Sequence, residues 1–336
     1  MDRPVPARFC NTPGQLLDFS RYPGDGMATG KGSLSCVGLG MMLGAHIGPR
    51  ARATIEQADV VFGAVSDPLV ELWLQQMNAD VRSLQPYYAE GKSRHDTYRE
   101  MIEAMLADVR AGRQVCGAFY GHPGVFARVP HSAIAQARAE GFDAYMEPGI
   151  SAEDCLYADL GIDPGDVGCQ HYEASQFMFY RRRIDPSAYL VLWQVGVAGD
   201  RSVRRFSTGP AYRRLLVERL FEDYPADHPV TLYEAATLAI TGPRMEKLPL
   251  SRLADARLHM HTTMVVPPAQ PLQRDEAMME KIRQLDGDVG TEAASGRRAG
   301  RRLEQEPDSR RLTMAAATPL GDCEGGVGSD SRAPGS

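Results

Sequence analysis

Two short β-like runs that break into glycine and proline loops constrain this chain most: FYGHPGVF, Phe119 to Phe126, and EPGISAEDCLYADLGID, Glu147 to Asp163. Loops of this kind at strand ends are where α/β proteins hold ligands. A third segment, GKSRHDTY from Gly91 to Tyr98, sets an arginine and a tyrosine in a polar stretch that opens a helix. Ahead of these, SLSCVGLG (Ser33 to Gly40) reads as a strand ending in glycines, followed by a helix whose last turns are TIEQADVV, Thr54 to Val61. The apolar spacing then predicts a strand over Val60 to Val65 and helices over Leu69 to Met77 and Arg94 to Ala111, the latter with Met101, Met105 and Val109 on one face. A strand over Gln114 to Tyr120 and a helix over His131 to Glu140 follow. Strands and helices alternate, which predicts an α/β domain around a mainly parallel sheet.

After the EPGISAEDC loop the pattern changes. AYLVLWQVGVAG (Ala188 to Gly199), VTLYEAA (Val230 to Ala236) and LHMHTTMVVPP (Leu258 to Pro268) read as strands, with an amphipathic helix from Tyr212 to Tyr224. At 336 residues, and roughly 150 residues per domain, two domains are expected. The boundary is placed near Glu147, giving an N-terminal α/β domain over 32–147 and a C-terminal one over 148–270, and the crevice between them is the default ligand site. Residues 1–31 show neither helical nor strand period and are expected to be a disordered leader, with Met27 an alternative translation start that intact mass would test. A helix is expected over 271–286, with Met278, Met279, Ile282 and Leu285 as its apolar face. Residues 287–336 have too few aliphatic groups to fold alone and are expected to be a disordered tail.

Several classes are disfavoured. The six cysteines, Cys10, Cys36, Cys116, Cys155, Cys169 and Cys323, form no CxxC pair and no regular spacing, so neither a zinc ribbon nor a disulfide framework is indicated and a reducing, cytoplasmic setting is expected. A net charge of −6 does not advertise the basic face that nucleic-acid binding needs, so no nucleic-acid partner is expected. No apolar run approaches the roughly 20 residues that span a bilayer, and no signal-peptide pattern opens the chain.

Each candidate motif has an ordinary reading beside a functional one. Gly38, Gly40 and Gly44 fall in a GxGxxxG spacing with no acidic residue at the end of the next strand, so a nicotinamide dinucleotide is disfavoured, although the glycines still allow close backbone approach. In FYGHPGVF, Pro123 fixes φ while Gly121 and Gly124 relieve steric limits, so the loop can aim backbone amides at a ligand or serve as a plain tight turn. Ser151 can cap a helix with Glu153 and Asp154 in its first turn, which is a sufficient reason for both acids; Gly149, Ile150 and Ser151 remain candidates for cofactor contact. Tyr87, Tyr88, Arg94 and Tyr98 share one stretch, with Arg94 and Tyr98 one helical turn apart. An exposed cation and aromatic pair is common there, while a guanidinium beside phenols could equally hold a carbonyl oxygen and lower a phenol's pKa. His259 and His261 alternate in what reads as a strand; with no third ligand evident, no metal is expected. Trp73 and Trp193 read as core or interface residues.

The loop set VGLG, FYGHPGVF and EPGISAEDCLYADLGIDP resembles the tetrapyrrole methylase superfamily of S-adenosylmethionine-dependent methyltransferases. Within it the chain is most similar to the borosin peptide backbone α-N-methyltransferases, over about Gly32 to Pro268, including GKSRHDTY, YEASQF, LWQVG and DHPVTLYEAA. The resemblance implies a two-domain, class III methyltransferase fold with S-adenosylmethionine in the cleft between domains and iterative methylation of successive backbone amides of a precursor peptide. It also implies a homodimer, or a heterotetramer with two precursor chains. Carried over by position, it implies catalytic roles for Arg94, Tyr98, Tyr88 and Tyr120. It implies cofactor contacts from Gly38, Gly40, Tyr120, His122, Val125, Phe126, Ser151, Ala152, Gln194, Tyr233 and Ala235. Gln85 stands where fungal members carry a further tyrosine. Some relatives methylate their own C-terminal extension, rich in Val, Ile and Gly; RRLTMAAATPLGDCEGGVGSDS, Arg310 to Ser331, lacks such a core, so a separate precursor is expected. The alternatives are a methylase of tetrapyrroles or other small molecules, self-methylation of the tail, and a silent peptide-binding protein.

Overall fold

The structure, a computed structural model, describes residues 31–65 and 67–286. The leader expected before residue 31, including Met27, and the tail expected over 287–336 lie outside the described residues.

The first sheet comprises β1 (Ser33–Gly38), β2 (Val60–Ala64), β3 (Val81–Ser83), β4 (Gln114–Phe119) and β5 (Asp143–Glu147), all parallel, in the order β3-β2-β4-β1-β5. Four helices belong with it: α1 (Pro49–Gln57), α2 (Pro68–Gln75), α3 (Arg94–Arg110) and α4 (Arg128–Ala139). Its central strands are near-continuous apolar runs because both faces are covered. Leu34 and Cys36 of β1 pack with Met101, Met105 and Val109 of α3 and Ala133 of α4, whereas Val37 points the other way, to Ile55 of α1 and Leu74 of α2. That alternation is the period of two of a strand clad on both sides. Cys36 and Cys116 sit in this core, and burial pushes both thiols up, Cys116 to about 12. β3 has no counterpart in the expectations, since VRS is a three-residue edge strand with no apolar alternation to announce it.

The second sheet is mixed: β6 (Cys169–Glu173), β7 (Tyr189–Trp193), β8 (Pro229–Glu234), β9 (Arg244–Pro249) and β10 (Thr263–Val266), in the order β6-β7-β10-β8-β9, with β6 and β7 parallel and the other pairs antiparallel. Its helices are α5 (Ala152–Leu160), α6 (Pro164–Val167), α7 (Ala174–Phe179) and α8 (Pro210–Leu220). Two of the expected strands are shorter than their apolar runs. β7 stops at Trp193 because Gln194 turns to a φ of 59°, and Val195–Val197 form a 3-10 turn. β10 is confined to Thr263–Val266, so His259 and His261 lie in the turn before it and not on a strand. The edge strands β6 and β9 have no counterpart in the expectations, because CQHYE and RMEKLP, half-buried or exposed along their length, carry the polar residues that edge positions favour.

The expected boundary at Glu147 separates the two sheets but not two compact units: the described residues up to Leu272 form one unit carrying both. From Gln273 a separate unit begins, in which residues 276–286 are helical, whereas the expected helix began at 271. Met278, Ile282 and Leu285 on that helix are exposed.

Candidate active site

Because β1 lies between β4 and β5, the loops that follow these three strands converge at one edge of the first sheet. Gly40 and Gly121, both at positive φ (73° and 64°), exchange two main-chain hydrogen bonds of 3.1 and 2.8 Å. A Cβ on Gly38 would stand 2.6 Å from both the Gly121 carbonyl oxygen and the Gly149 Cα, so Gly38 excludes any side chain. Backbone here packs on backbone, which makes a cradle of main-chain groups at the carboxyl ends of parallel strands, the usual ligand site of such sheets. Beside it lies an apolar recess of about 20 Å³ lined by Leu39, Met41, Val65, Trp73 and Tyr120, with Thr237 from the second sheet's side. The Thr237 carbonyl accepts from Leu43 N at 3.0 Å and ties the two halves together there.

FYGHPGVF is a structured turn. His122 Nδ1 accepts from Gly124 N at 2.8 Å, and the His122 carbonyl accepts from Val125 N at 3.2 Å. Phe126 has a φ of 50°, and its ring lies 5.2 Å from that of Trp193 at the end of β7. The Trp193 indole donates to His171 Nδ1 at 3.1 Å, His171 Nε2 lies 2.8 Å from the Tyr157 hydroxyl, and that hydroxyl donates to Glu153 at 3.0 Å. An indole can only donate, so His171 Nδ1 carries a lone pair and its proton sits on Nε2. Burial, opposed by Glu153, keeps the ring's pKa below the ordinary value, consistent with that neutral form. The chain Phe126–Trp193–His171–Tyr157–Glu153 was not legible in the sequence, because its members come from four separate segments, only Tyr157 and Glu153 sharing one helix; Phe126 and Gln194, the residue after Trp193, both have left-handed φ.

Ser151 is buried and closes a capping box at the start of α5: its hydroxyl and Asp154 N lie 3.2 Å apart, and Asp154 accepts from Ser151 N at 2.7 Å. The ordinary reading of Asp154 is thus realised. Ala152 and Ala235 pack against the second sheet's core. The Tyr233 side chain is buried there as well and donates to Asp159 at 2.7 Å, leaving only its main chain for a ligand.

The tyrosines form a second cluster. Ser93 caps α3 by accepting from His95 N at 3.2 Å, which sets Arg94 at the first helical position and Tyr98 one turn on. Lys92 donates to the Tyr87 carbonyl at 2.9 Å and folds the preceding loop back, so that Tyr88 meets Tyr98 edge to face, with ring centroids 6.5 Å apart at 86°. Gln85 turns its amide to the Val65 carbonyl. Burial raises the pKa of the Tyr98 phenol; Arg94, a hydrogen bond from Tyr88, and Arg128 pull it down without cancelling that rise. This corrects the expectation of an acidified phenol, since desolvation outweighs the guanidinium. Tyr88 is pushed up by the same cause. Tyr120, half exposed yet crowded by protein, is raised by burial and then by Tyr98. An open groove of about 420 Å³ runs from Tyr98 between α3 and α4, past Arg99, Ile102, Arg128 and Gln136.

His259 and His261 do acquire a third partner. Glu234, the last residue of β8, brings the three sets of donor atoms within 4.8 Å of one another. Its carboxylate, however, already accepts from Arg244 at 2.8 Å, from His259 at 2.9 Å and from the Thr262 hydroxyl at 2.5 Å. A cation there would have to compete with the Arg244 charge, so the arrangement reads as an ion-pair hub. Burial pushes the Glu234 carboxyl up, but the bonds from Thr262, His259 and Arg244 and the His261 charge outweigh it and hold it at about 2. A depressed folded-state value stabilises the fold above the unfolded pKa and loses that contribution as pH falls through the folded one. Glu234→Gln is therefore expected to cost about 3 kcal/mol at pH 7, with the gap to wild type closing between about pH 4.5 and 2, as urea melts across that range would show.

The profile of the tetrapyrrole (corrin/porphyrin) methylases matches residues 33–254. The chain is 41% identical over 261 residues to the methyltransferase/ribosomally synthesized cyclic peptide gymnopeptides precursor of Gymnopus fusipes, covering 76% of this chain and 62% of that protein. It is 39% identical over 262 residues to the corresponding omphalotin A precursor of Omphalotus olearius, covering 77% and 62%. The chain thus spans about three fifths of the length of these relatives. Among solved structures, uroporphyrin-III-C-methyltransferase from Thermus thermophilus is similar with a TM-score of 0.50 at 21% identity, covering 70% of this chain and 92% of that one. A cobalt precorrin-4 methyltransferase gives 0.50 at 17%, covering 70% and 94%. At such identities these two bear on the fold alone, and they agree with the α/β architecture described above.

Proposed function

The chain belongs to the tetrapyrrole (corrin/porphyrin) methylase family, and on that premise we propose that it methylates successive backbone amides of a ribosomally made precursor peptide, using S-adenosylmethionine and taking the precursor as a separate chain. The observation that supports this reading is the Arg94, Tyr88 and Tyr98 cluster, whose Tyr98 lines an open groove, in a chain about 40% identical to methyltransferase/cyclic peptide precursors. The cofactor fits what is present. Gly38, Gly40, Gly121 and Gly149 form a backbone cradle that admits no Cβ at its closest points, and an apolar recess adjoins it. Main-chain groups of these loops, Tyr120, and the segments at Phe126 and Gln194 would hold it. When bound, it supplies an activated methyl group on a sulfonium centre.

The chain's own residues then have a defined task. An amide nitrogen is a poor nucleophile because its lone pair is delocalised into the carbonyl, so its N–H proton must leave and the charge that builds on oxygen must be held. Tyr98 takes that proton as its phenolate, or relays it by releasing its own hydroxyl proton to solvent as the amide proton arrives. Arg94 and Arg128 work against the desolvation of its phenol, and Tyr88, hydrogen-bonded to Tyr98, orients the amide together with Tyr120. The same reading carries a homodimer, or a heterotetramer with two precursor chains, in a cytoplasmic setting; among the described residues no helix is long and apolar enough to cross a membrane.

A second reading rests on the relatives, whose names join methyltransferase and precursor in one protein: the chain methylates its own C-terminal segment. Intact and tandem mass spectrometry with S-adenosylmethionine separates the two. One-methyl steps on a separate precursor support the first, steps on this chain support the second, and bound cofactor with neither, together with methylation of a tetrapyrrole, overturns both.

A further inference from the structure

Arg94 is held from across the fold. The loop between Gly199 and Thr208, in the half of the chain that carries the second sheet, is wound about one buried carboxylate, Asp200. Asp200 Oδ1 accepts from Ser202 N at 3.0 Å and from the Ser202 hydroxyl at 2.5 Å; Oδ2 accepts from Arg204 N at 3.0 Å and Arg205 N at 2.9 Å. Four donors on one side chain leave it no free capacity and define the turn completely. Thr208 closes the far end of the loop, its hydroxyl donating to the Ala198 carbonyl at 2.9 Å.

Inside this turn Val203 has a φ of 54°, a conformation that a β-branched residue rarely adopts and that persists only where surrounding structure over-determines it. Its carbonyl, aimed by that conformation, accepts from Arg94 N at 3.0 Å, and the carbonyl of Arg205 accepts from Arg94 Nη2 at 2.7 Å. One loop therefore grips Arg94 by its main chain and its guanidinium together. Among the described residues, that guanidinium also donates to the Met260 sulfur at 3.5 Å. Carbonyl dipoles and a thioether orient a guanidinium without neutralising it, so its charge stays available to the phenols of Tyr98 and Tyr88, on both of which it acts.

We infer that Asp200 is a positioning residue: through the turn it organises, it fixes Arg94 at the tyrosine cluster and so couples the two halves of the fold to the reactive centre. In methyl transfer this rests on the function proposed above; as a statement about Arg94 it does not. The experiment compares wild type with Asp200→Ala and Asp200→Asn, and uses Asp185→Ala as control, since Asp185 makes the same two bonds to a serine two residues on, Ser187, in an exposed loop. Phenylglyoxal labelling, read residue by residue as peptide masses, reports the freedom of Arg94 without any turnover. Labelling of Arg94 is expected to accelerate several-fold in Asp200→Ala, less in Asp200→Asn, and not in Asp185→Ala. Methylation of the precursor should fall by about 10–100-fold in kcat, with the S-adenosylmethionine KM held and the pH profile moved upward. Unchanged Arg94 labelling in folded Asp200→Ala overturns the assignment, and if that variant does not fold, unchanged labelling in Asp200→Asn does so. Faster Arg94 labelling in a protein whose wild type methylates nothing would keep Asp200 in its role and discard the proposed function instead.

Discussion

Tyr98→Phe is expected to slow methyl transfer by about 10²–10⁴-fold while leaving S-adenosylmethionine affinity unchanged, because the substitution removes one oxygen and the proton it exchanges but keeps the ring that packs against Tyr88. Single-turnover rates with the precursor peptide, beside calorimetric cofactor binding, separate the two effects. Arg94→Ala acts on the same atom from outside. The Tyr98 phenol already lies above its ordinary value because burial outweighs the charge of Arg94, so loss of that charge raises it further. The fraction of phenolate at neutral pH then drops and the alkaline rise of the rate moves to higher pH. If both variants keep wild-type rates with cofactor bound, the phenol is not the proton acceptor. A fall in Arg94→Ala with an unmoved pH profile would instead make Arg94 a pure orienting group.

The second large effect comes from residues with no side chain. At Gly149 a Cβ would meet the Gly121 carbonyl, the Gly38 Cα at 2.8 Å and the Gly38 carbonyl carbon at 2.9 Å, all main-chain atoms of paired loops that cannot step aside. Gly149→Val is expected to destabilise the protein by about 1–3 kcal/mol or more. It should also weaken S-adenosylmethionine binding at least about tenfold, since the cradle must open to admit the side chain. Gly48→Ala, at a glycine whose added Cβ would meet nothing within 4 Å, is the matched control and should alter neither. Normal melting and cofactor affinity in Gly149→Val would show that the three loops do not hold the cofactor by their backbones.

The two experiments probe parts of the site that differ in how far the sequence disclosed them. The parallel first sheet was readable because SLSCVG, VVFGA and QVCGAF are apolar on both faces and are separated by helical spacing; burial on both sides leaves such a composition whatever the rest of the chain does. The helix of Arg94 and Tyr98 was readable from its polar opening stretch and its run of Met101, Met105 and Val109. β6 and β9 were not, since edge strands need little apolar alternation and their pairing energy lies in main-chain bonds that every residue type can make. His259 and His261 lie off the strand because the alternation of Leu258, His259, Met260 and His261 precedes the first paired residue of β10, Thr263, and both histidines turn to Glu234.

Which segments are buried and where the loops need glycine could be read from short windows of residues, because desolvation and φ are local properties. The sequence therefore disclosed the α/β class, the three loops of the cradle, and the local pair of Arg94 and Tyr98. Only the tertiary structure decided the sign of the Tyr98 shift, the tautomer of His171 and the grip of the Asp200 turn on Arg94. Each of those is a balance between burial and partners brought from distant parts of the chain, Arg128, Trp193 and Arg205 among them, and electrostatic energies inside a protein depend on distance through space and on the water excluded around a group.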